Sequence, residues 1–349
     1  MAGERGPNEE EPLSGPGLVD LQVNGYRGFD VNSDDVTSET IVELTRALWR
    51  EGVTTFLPTI ITASEEKIRH CLDAVGRARR SDPLVAHSIA GVHVEGPFIA
   101  AADGPRGAHD ASHVRPPDLE ELRRWQESSE GLVRIVTVAP EVPGAIEFTS
   151  AASDMGVHVS IGHCAPSAEQ VRAAVRAGAV SSTHLGNGAH PMLPRHPNHI
   201  WAQLASDELV AMLIADGRHL PADTLTVMIR AKTPRKCILT SDSAALAGLP
   251  PGEYPTPVGG SVTVEAGGGL SLTGTSLLAG SGKSLRECVN WAYEFLPFSS
   301  QEILTMATLN PARMIGVASR VEATGDIVST YDGVPVSVRV AGVEVCTGE

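Results

Sequence analysis

Eight short apolar runs recur along the chain, and stretches with a helical spacing of apolar residues separate most of them. Apolar runs of this length, bounded by glycine and polar residues, predict strands that are buried on both faces. The predicted strands are Gly17 to Gly25, Thr54 to Ile60, Ser88 to Gly96, Val133 to Glu141, His158 to His163, Ser181 to Gly186, Leu209 to Gly217 and Lys236 to Asp242.

Amphipathic helices are predicted between these strands. From Thr37 to Glu51, the apolar residues Ile41, Leu44 and Leu48 recur on one helical face. The stretch from Ser64 to Arg79 has the same periodicity, and its first serine can cap the helix. Eight units of strand followed by helix predict an α/β fold, a closed (β/α)8 TIM-type barrel whose active site lies at the carboxyl ends of the strands.

The C-terminal part is less regular. Residues 259–275 predict a hairpin with a glycine turn, and helices are predicted at about 281–295 and 299–308. From Gly325 onward the pattern predicts two or three short strands. We therefore divide the chain into a disordered segment at residues 1–14, a barrel at 15–322 and a short β tail at 323–349.

Composition and charge limit the classes of molecule that the protein can bind. The chain has 349 residues, of which 42% are hydrophobic, so it can bury a large core. Its formal net charge of −15 argues against nucleic acid or anionic membrane as a partner, because either would need a basic face. An anionic substrate must then bind to a few positively charged side chains near the site. The acidic N-terminus MAGERGPNEEEP is unlike a signal peptide, and no membrane-spanning apolar stretch is present, so we expect a cytoplasmic protein.

The cysteines indicate neither a disulfide framework nor a zinc-finger site. They are odd in number and show no CxxC spacing, which fits reduced thiols. Cys164, beside a histidine at a strand end, is expected to be a small core residue rather than a ligand.

Four polar residues stand at the ends of predicted strands. Glu95 ends the run in GVHVEGPF, His163 follows VSIG, His184 follows SST and Asp242 follows CILTS. An ionised carboxylate or an imidazole at the mouth of an apolar strand is costly unless it is paired or binds a metal. Four such residues in one chain indicate a metalloenzyme.

The residue types suit a hydrolytic zinc site. Glu95, His163 and His184 supply one carboxylate and two imidazoles, and a catalytic zinc with three protein ligands keeps an open position for water. Such a metal lowers the pKa of the bound water and polarises a carbonyl. Asp242 could take the proton from that water and give it to a departing amine. Taken singly, Glu95 could instead be a helix N-cap and Asp242 a turn cap.

An ordered set of motifs resembles the N-acetylglucosamine-6-phosphate deacetylases of the amidohydrolase superfamily. In chain order the motifs are PGLVDLQVNG, GVHVEGPF, GAHD, GHCAPS, THLGNG, ADGRH, SDS, LLAGS and NPARMIG, between Gly17 and Gly316. The resemblance implies hydrolysis of N-acetylglucosamine 6-phosphate to glucosamine 6-phosphate and acetate. It assigns one divalent metal to Glu95, His163 and His184, with the metal-bound water as nucleophile and Asp242 as general base and acid.

One feature of the wider superfamily is missing. Many amidohydrolases carry His-x-His at the end of the first strand to hold a second metal, but Gln22 and Asn24 occupy these positions. Carboxamides are poor ligands for a transition metal compared with imidazole. We therefore expect a single metal, as in family members that also have glutamine there.

The substrate contacts follow from the resemblance. It places His109 near the acetyl carbonyl, His219 at the sugar phosphate, and Arg195 at the phosphate of the neighbouring subunit's substrate, which implies a homodimer. A planar guanidinium fork suits phosphate, because it can donate two parallel hydrogen bonds. The full set of implied substrate contacts is Ala108, His109, Asn187, Gly188, Arg195, His219, Leu278, Ala279 and Gly280.

Departures from the family leave alternatives open. The loop GNGAHPMLPRHPNHIW after His184 differs from the common YNAM form, and its histidines are expected to contact substrate or solvent rather than form a second metal site. The resemblance also implies a small β-sandwich domain. Its first strands are expected to be absent here, so the β tail at 323–349 is expected to be a remnant of that domain. An amidohydrolase acting on another N-acyl or cyclic amide substrate is one alternative, and a catalytically inactive binding protein is another.

Overall fold

The fold is that of a computed structural model, which describes residues 13–256, 260–275, 278–322, 325–331 and 333–347. The described strands, numbered in chain order, are β1 (Leu13–Pro16), β2 (Leu18–Val23), β3 (Gly25–Tyr26), β4 (Phe29–Asp30), β5 (Val53–Ile61), β6 (Val92–Glu95), β7 (Val133–Val138), β8 (His158–Ile161), β9 (Ala179–Ser182), β10 (Val210–Ile214), β11 (Cys237–Thr240), β12 (Gly252–Thr256), β13 (Gly260–Val264), β14 (Leu270–Leu272), β15 (Ile327–Tyr331), β16 (Val334–Val340) and β17 (Val343–Thr347).

The described helices surround these strands. They are α1 (Ser38–Arg50), α2 (Glu65–Ser81), α3 (Pro83–Ser88), α4 (Leu119–Ser128), α5 (Ala145–Asp154), α6 (Ala168–Arg176), α7 (His199–Leu204), α8 (Ala222–Lys232), α9 (Leu285–Phe295), α10 (Ser300–Ala307), α11 (Leu309–Met314) and α12 (Ala318–Glu322). Both predicted N-terminal helices are confirmed, and the side chain of Ser64 accepts a hydrogen bond from the amide of Lys67 at the start of α2.

Eight parallel strands form the barrel, in the order β11-β10-β9-β8-β7-β6-β5-β2. All eight predicted strands are found, and the (β/α)8 prediction is confirmed. The barrel closes where Val23 pairs in parallel with Ser243, and the amide of Asn24 donates to the carbonyl of Ser243 at 2.9 Å. The ends of the first and last barrel strands are therefore neighbours.

Two apolar layers hold the barrel together. One lies between the strands and the helices, and the other fills the barrel interior with side chains that include Leu21, Leu57 and Met212. Ala312 of α11 packs on this interior cluster, and Asn310 donates to the carbonyl of Cys237 at 2.7 Å, at the first residue of β11. The amino-terminal end of the barrel is thus covered, which leaves the carboxyl-terminal end for the site.

A small antiparallel sheet, in the order β1-β15-β16-β17, lies beside the barrel. Two or three strands were predicted in the tail, and three are found, β15, β16 and β17. The expectation that the first strands of the small β-domain are absent is corrected for one strand, because β1 pairs with β15. Leu13 and Ser14, which we placed in the disordered segment, begin β1. Residues 1–12 of that predicted segment lie outside the described residues.

A three-stranded insertion, β12-β13-β14, follows the last barrel strand. The predicted hairpin is confirmed as β13 and β14, although its predicted first residue lies outside the described residues. Strand β12 was not predicted. An ion pair between Arg218 and Glu265, at 2.7 Å, joins the insertion to the loop after β10.

No helix within the described residues combines the length and the apolar composition needed to span a lipid bilayer. All five cysteines are free thiols, and Cys164 is buried as predicted.

Candidate active site

The four strand-end residues lie at the same end of the barrel because their strands are parallel. Glu95 is the last residue of β6, and His163, His184 and Asp242 each follow the last residue of their strand by two positions. These three residues have positive φ angles of 48°, 28° and 50°, which are uncommon for residues other than glycine. Left-handed turns at functional positions cost energy, and the surrounding packing must maintain them.

Glu95, His163 and His184 form a buried cluster that could hold one metal ion. Their potential ligand atoms all lie within 4.8 Å of one another. The carboxylate Oε1 of Glu95 is 2.9 Å from His184 Nε2 and 3.2 Å from His163 Nε2, and the two Nε2 atoms are 3.0 Å apart. This is the only such cluster of three in the part of the chain that the structure describes.

The hydrogen bonds around His163 fix its tautomer for ligation. Its Nδ1 lies 2.9 Å from the carbonyl oxygen of Pro105, which can only accept, so Nδ1 carries a proton. The neutral ring then presents the lone pair of Nε2 to the cluster, as a metal ligand requires. One carboxylate and two imidazoles converging in a buried space fit a divalent metal such as zinc.

Electrostatics in the cluster favour an ionised Glu95. Burial raises the pKa of its carboxyl group, but the adjacent imidazoles of His163 and His184 outweigh this effect and hold the pKa well below its usual range. For His184, burial lowers the pKa, and the bond to Glu95 more than compensates and raises it.

Gln22 and Asn24 make specific contacts with the site. The amide group of Gln22 donates to Glu95 Oε1 at 2.8 Å, and that of Asn24 donates to Asp242 Oδ1 at 2.8 Å. The sequence analysis noted these residues only as replacements for histidine. Their positions at the end of the first strand were visible in the sequence. Their hydrogen-bond partners were not, because these depend on which strands are neighbours in the closed barrel.

The surroundings of Asp242 raise the pKa of its carboxyl group. The residue is half-buried, but protein atoms surround its carboxyl group, and burial followed by the negative charge of Glu95 raises its pKa to about 6. A pKa in this range suits a group that must accept and return a proton near neutral pH.

His109 joins the cluster as a hydrogen-bond donor. The backbone amide of Thr62 donates to its Nδ1 at 3.4 Å, and the Thr62 hydroxyl lies 2.8 Å from the same atom. Burial, followed by the effect of the neighbouring His163, lowers the pKa of His109 to about 3, so the ring is neutral and its proton is on Nε2. That atom is 3.2 Å from His163 Nε2.

The loops around the cluster contain most of the implied substrate contacts. Gly188 lies against His163, with only 2.9 Å between a Cβ built on the glycine and His163 Nδ1. The amide of Ala279 donates to Leu270 of the insertion, and the amide of Ser281 donates to the carbonyl of Asp242 at 3.4 Å. Hence Leu278, Ala279 and Gly280 lie beside the segment that contains Asp242.

Three predicted substrate residues, Ala108, Arg195 and Leu278, are exposed. Arg195 makes no ion pair with another described residue. The side-chain nitrogen of Asn187 is buried and has no hydrogen-bond partner among the described residues. The substrate roles of these residues stay predictions. Sequence reasoning did not single out Thr62 or Asp216 as functional residues. Both are polar residues at strand ends: Thr62 directly follows β5, and Asp216 stands two residues after β10.

Comparisons with known proteins identify the family of the chain. The sequence profile of the amidohydrolase family matches residues 15–324. N-acetylglucosamine-6-phosphate deacetylase from Bacillus subtilis (strain 168) is 33% identical over 307 residues, which cover 87% of this chain and 76% of that protein. N-acetylgalactosamine-6-phosphate deacetylase from Escherichia coli O157:H7 is 33% identical over 304 residues, with coverages of 86% and 78%.

Solved structures resemble the whole described fold. A variant of N-acetyl-D-glucosamine-6-phosphate deacetylase from Mycobacterium smegmatis, in complex with N-acetyl-D-glucosamine-6-phosphate, has a TM-score of 0.86 and 27% identity, covering 99% of this chain and 91% of that chain. The Thermotoga maritima deacetylase has a TM-score of 0.85 and 27% identity, with coverages of 99% and 92%. The chain therefore belongs to the amidohydrolase family, as a hydrolase similar to the N-acetylglucosamine-6-phosphate deacetylases.

Proposed function

We propose that this protein removes the acetyl group from an N-acetylhexosamine 6-phosphate, with N-acetylglucosamine 6-phosphate as the main candidate. The products are the amino-sugar phosphate and acetate. The observation that carries the proposal is the meeting of Glu95, His163 and His184 in one buried cluster at the barrel mouth, together with Asp242. The names of the relatives supply the substrate class.

Glu95, His163 and His184 would hold one divalent metal, with zinc as our candidate because it suits a carboxylate and two imidazoles. When bound, such a metal supplies Lewis-acid activation of a water molecule and of the acyl carbonyl. The amide of Gln22 holds the carboxylate of Glu95, and the carbonyl of Pro105 orients the ring of His163. Partners of this kind fix the direction of metal-binding side chains.

Asp242 moves the proton. Its carboxylate accepts a proton from the attacking water and then donates it to the departing nitrogen, so the amine leaves as a neutral group. The bond from Asn24 fixes one carboxylate oxygen and leaves the other free for this transfer. Because its pKa is raised to about 6, the protonated form is accessible during turnover.

His109 would stabilise the developing negative charge on the acyl oxygen. Its neutral ring has the Nε2 proton directed into the cluster, where a donor is in place before the substrate arrives. His219 and Arg195 are our candidates for the phosphate group, and the latter would act across a homodimer interface. An exposed arginine in a chain of charge −15 supports that part of the proposal.

N-acetylgalactosamine 6-phosphate is the second candidate substrate. The Escherichia coli relative named for that sugar is as similar to this chain as the Bacillus subtilis relative, at 33% identity each. The two sugars differ only in the orientation of one hydroxyl group, which a few polar contacts can distinguish.

A substrate panel tests the proposal. The purified, zinc-loaded protein should release acetate from N-acetylglucosamine 6-phosphate or its galacto epimer, and should act weakly on the same sugars without phosphate. Removal of the metal should abolish turnover, and added zinc should restore it. Efficient turnover of unphosphorylated sugars or of cyclic amides would favour the alternative amidohydrolase function. Absence of turnover on the whole panel would reject the deacetylase proposal.

A further inference from the structure

The loop after β10 contains a buried pair of Asp216 and His219. Asp216 is 3% exposed, and its Oδ2 lies 2.6 Å from Nδ1 of His219. Its other oxygen, Oδ1, accepts from the backbone amides of Arg218 at 2.8 Å and of His219 at 2.9 Å. One carboxylate therefore closes the turn with one oxygen and binds the imidazole with the other.

This contact determines which ring nitrogen of His219 can meet a ligand. An ionised carboxylate only accepts, so Nδ1 of His219 must carry a proton and is occupied. The ionised form is favoured, because the bonds from His219 outweigh the burial of Asp216 and lower the pKa of its carboxyl group. Nε2 is then the only ring nitrogen available to a substrate.

Packing fixes the same loop on two sides. Gly217 has a φ of +77° and lies so close to Trp291 of α9 that a built Cβ would be 2.4 Å from the indole Nε1. Arg218 forms its ion pair with Glu265 of the insertion. The backbone of the turn is therefore supported by more than the Asp216 carboxylate.

We propose that Asp216 is a positioning residue for substrate binding, which holds the His219 ring so that Nε2 faces the anionic group of the substrate. This inference rests on the proposed function. Carboxylates that bind the far nitrogen of a functional histidine fix both its tautomer and its ring orientation. The alternative is that Asp216 only closes the turn.

Asp216→Asn separates the two roles. The side-chain oxygen of asparagine can still accept both backbone amides, while the charged acceptor for Nδ1 is lost. We expect kcat/KM for N-acetylglucosamine 6-phosphate to fall about tenfold to a hundredfold, the usual range for such partners, mainly through a higher KM. Turnover of the unphosphorylated sugar should change little.

A double-mutant cycle tests whether Asp216 acts through His219. In a His219→Gln background, Asp216→Asn should have almost no further effect on kcat/KM, because the ring that it positions is gone. The matched control is Asp326→Asn, since Asp326 is equally buried and pairs with His87 at 3.0 Å, away from the site. That variant should leave kcat/KM unchanged. Independent, additive losses from Asp216→Asn and His219→Gln would overturn the proposal.

A spectroscopic measurement is independent of the substrate. In protein labelled with 15N-histidine, the Nδ1 proton of His219 should give a low-field signal that disappears in both His219→Gln and Asp216→Asn. It should persist in Asp326→Asn. If the signal is present in the wild type but no panel substrate is turned over, the positioning role stands and the proposed function fails. A His219 signal that Asp216→Asn leaves unchanged would reject the positioning role.

Discussion

The side-chain amide of Asn24 donates a hydrogen bond of 2.8 Å to the carboxylate of Asp242, across the seam where the first and last barrel strands meet. The position that holds a metal-binding histidine in many superfamily members is thus occupied by a donor to the candidate base. Asn24 therefore fixes one oxygen of the Asp242 carboxylate.

Replacing Asn24 with alanine should reduce turnover without removing the metal. Loss of the bond frees the Asp242 carboxylate to rotate, and outer partners of this kind usually contribute about tenfold to a hundredfold. We expect kcat to fall by that factor while metal content and KM stay near those of the wild type. Asn24→Asp, which places a second negative charge beside Asp242, should be more damaging than Asn24→Ala. Equal kcat values for wild type and Asn24→Ala would remove this role.

Replacing Asp242 with asparagine should lower turnover by about 10² to 10⁴, the range for removal of general acid and base assistance. Asparagine retains the size of the side chain but cannot take a proton from water. Metal content, measured by elemental analysis, and substrate binding, measured by calorimetry, should be nearly unchanged. Near-normal turnover would assign the proton transfer to another group.

One tightly bound divalent metal is expected per chain. The three ligand atoms enclose one position, and Gln22 and Asn24 offer no imidazole for a second. Elemental analysis of the purified protein should find about one equivalent, and His184→Ala should lose it. His190→Ala, in the loop after β9, is the matched control and should retain the metal. Two tightly held metals in the wild type would contradict this expectation.

The barrel was predictable because its signals are local. Each strand is a short run rich in apolar residues, and each site residue either ends its strand or follows it by two positions, so the parallel arrangement alone brings Glu95, His163 and Asp242 together. Strand β1 was not predictable in the same way. Its residues LSGP have little strand propensity, and the partner of Leu13 is Thr330, at the other end of the chain.

The partners within the site were also beyond sequence reasoning. Gln22 and Glu95 are 73 residues apart, and Asn24 and Asp242 are 218 apart. Their pairing depends on strand order and on side-chain direction, neither of which a single sequence encodes locally. Asp216 and His219 are only three residues apart, but their contact requires a tight turn at Gly217.

We expect Asp20 to make folding stability depend on pH. Burial raises the pKa of its carboxyl group despite hydrogen bonds from Thr240 and Ser241. The folded state thus binds this proton more tightly than the unfolded state, so its contribution to stability is greatest below about pH 4 and is lost as pH rises through the folded pKa. Asparagine does not titrate, so Asp20→Asn does not lose stability in this way as pH rises.

The melting temperature of Asp20→Asn relative to wild type should therefore increase between pH 4 and pH 8. Each unit of raised pKa corresponds to about 1.4 kcal/mol across this range. Glu39→Gln, at an exposed position in the first turn of α1, is the control and should show no such trend. If the difference in melting temperature between Asp20→Asn and wild type is the same at every pH, the Asp20 carboxyl group has the same pKa in the folded and unfolded states.

Arg195 is expected to bind substrate phosphate across a subunit interface. It is exposed, has no ion pair among the described residues, and stands eleven residues after His184 in a chain of charge −15. Arg195→Ala should cost roughly 2 to 4 kcal/mol of transition-state binding for a phosphorylated sugar, on the scale for truncating one member of a buried charge pair. The unphosphorylated analogue should be nearly unaffected.

Measurements of kcat/KM on both sugars test this role, with Arg172→Ala as the control. Arg172 is an exposed arginine paired with Glu169 on α6, and such surface pairs contribute little. The mass in solution should be that of a dimer. Because the guanidinium would come from the partner subunit, a mixed dimer of Arg195→Ala with Asp242→Asn should retain one active site with both groups intact. Equal losses on both sugars would reject the phosphate role, and a fully active monomer would reject the shared site.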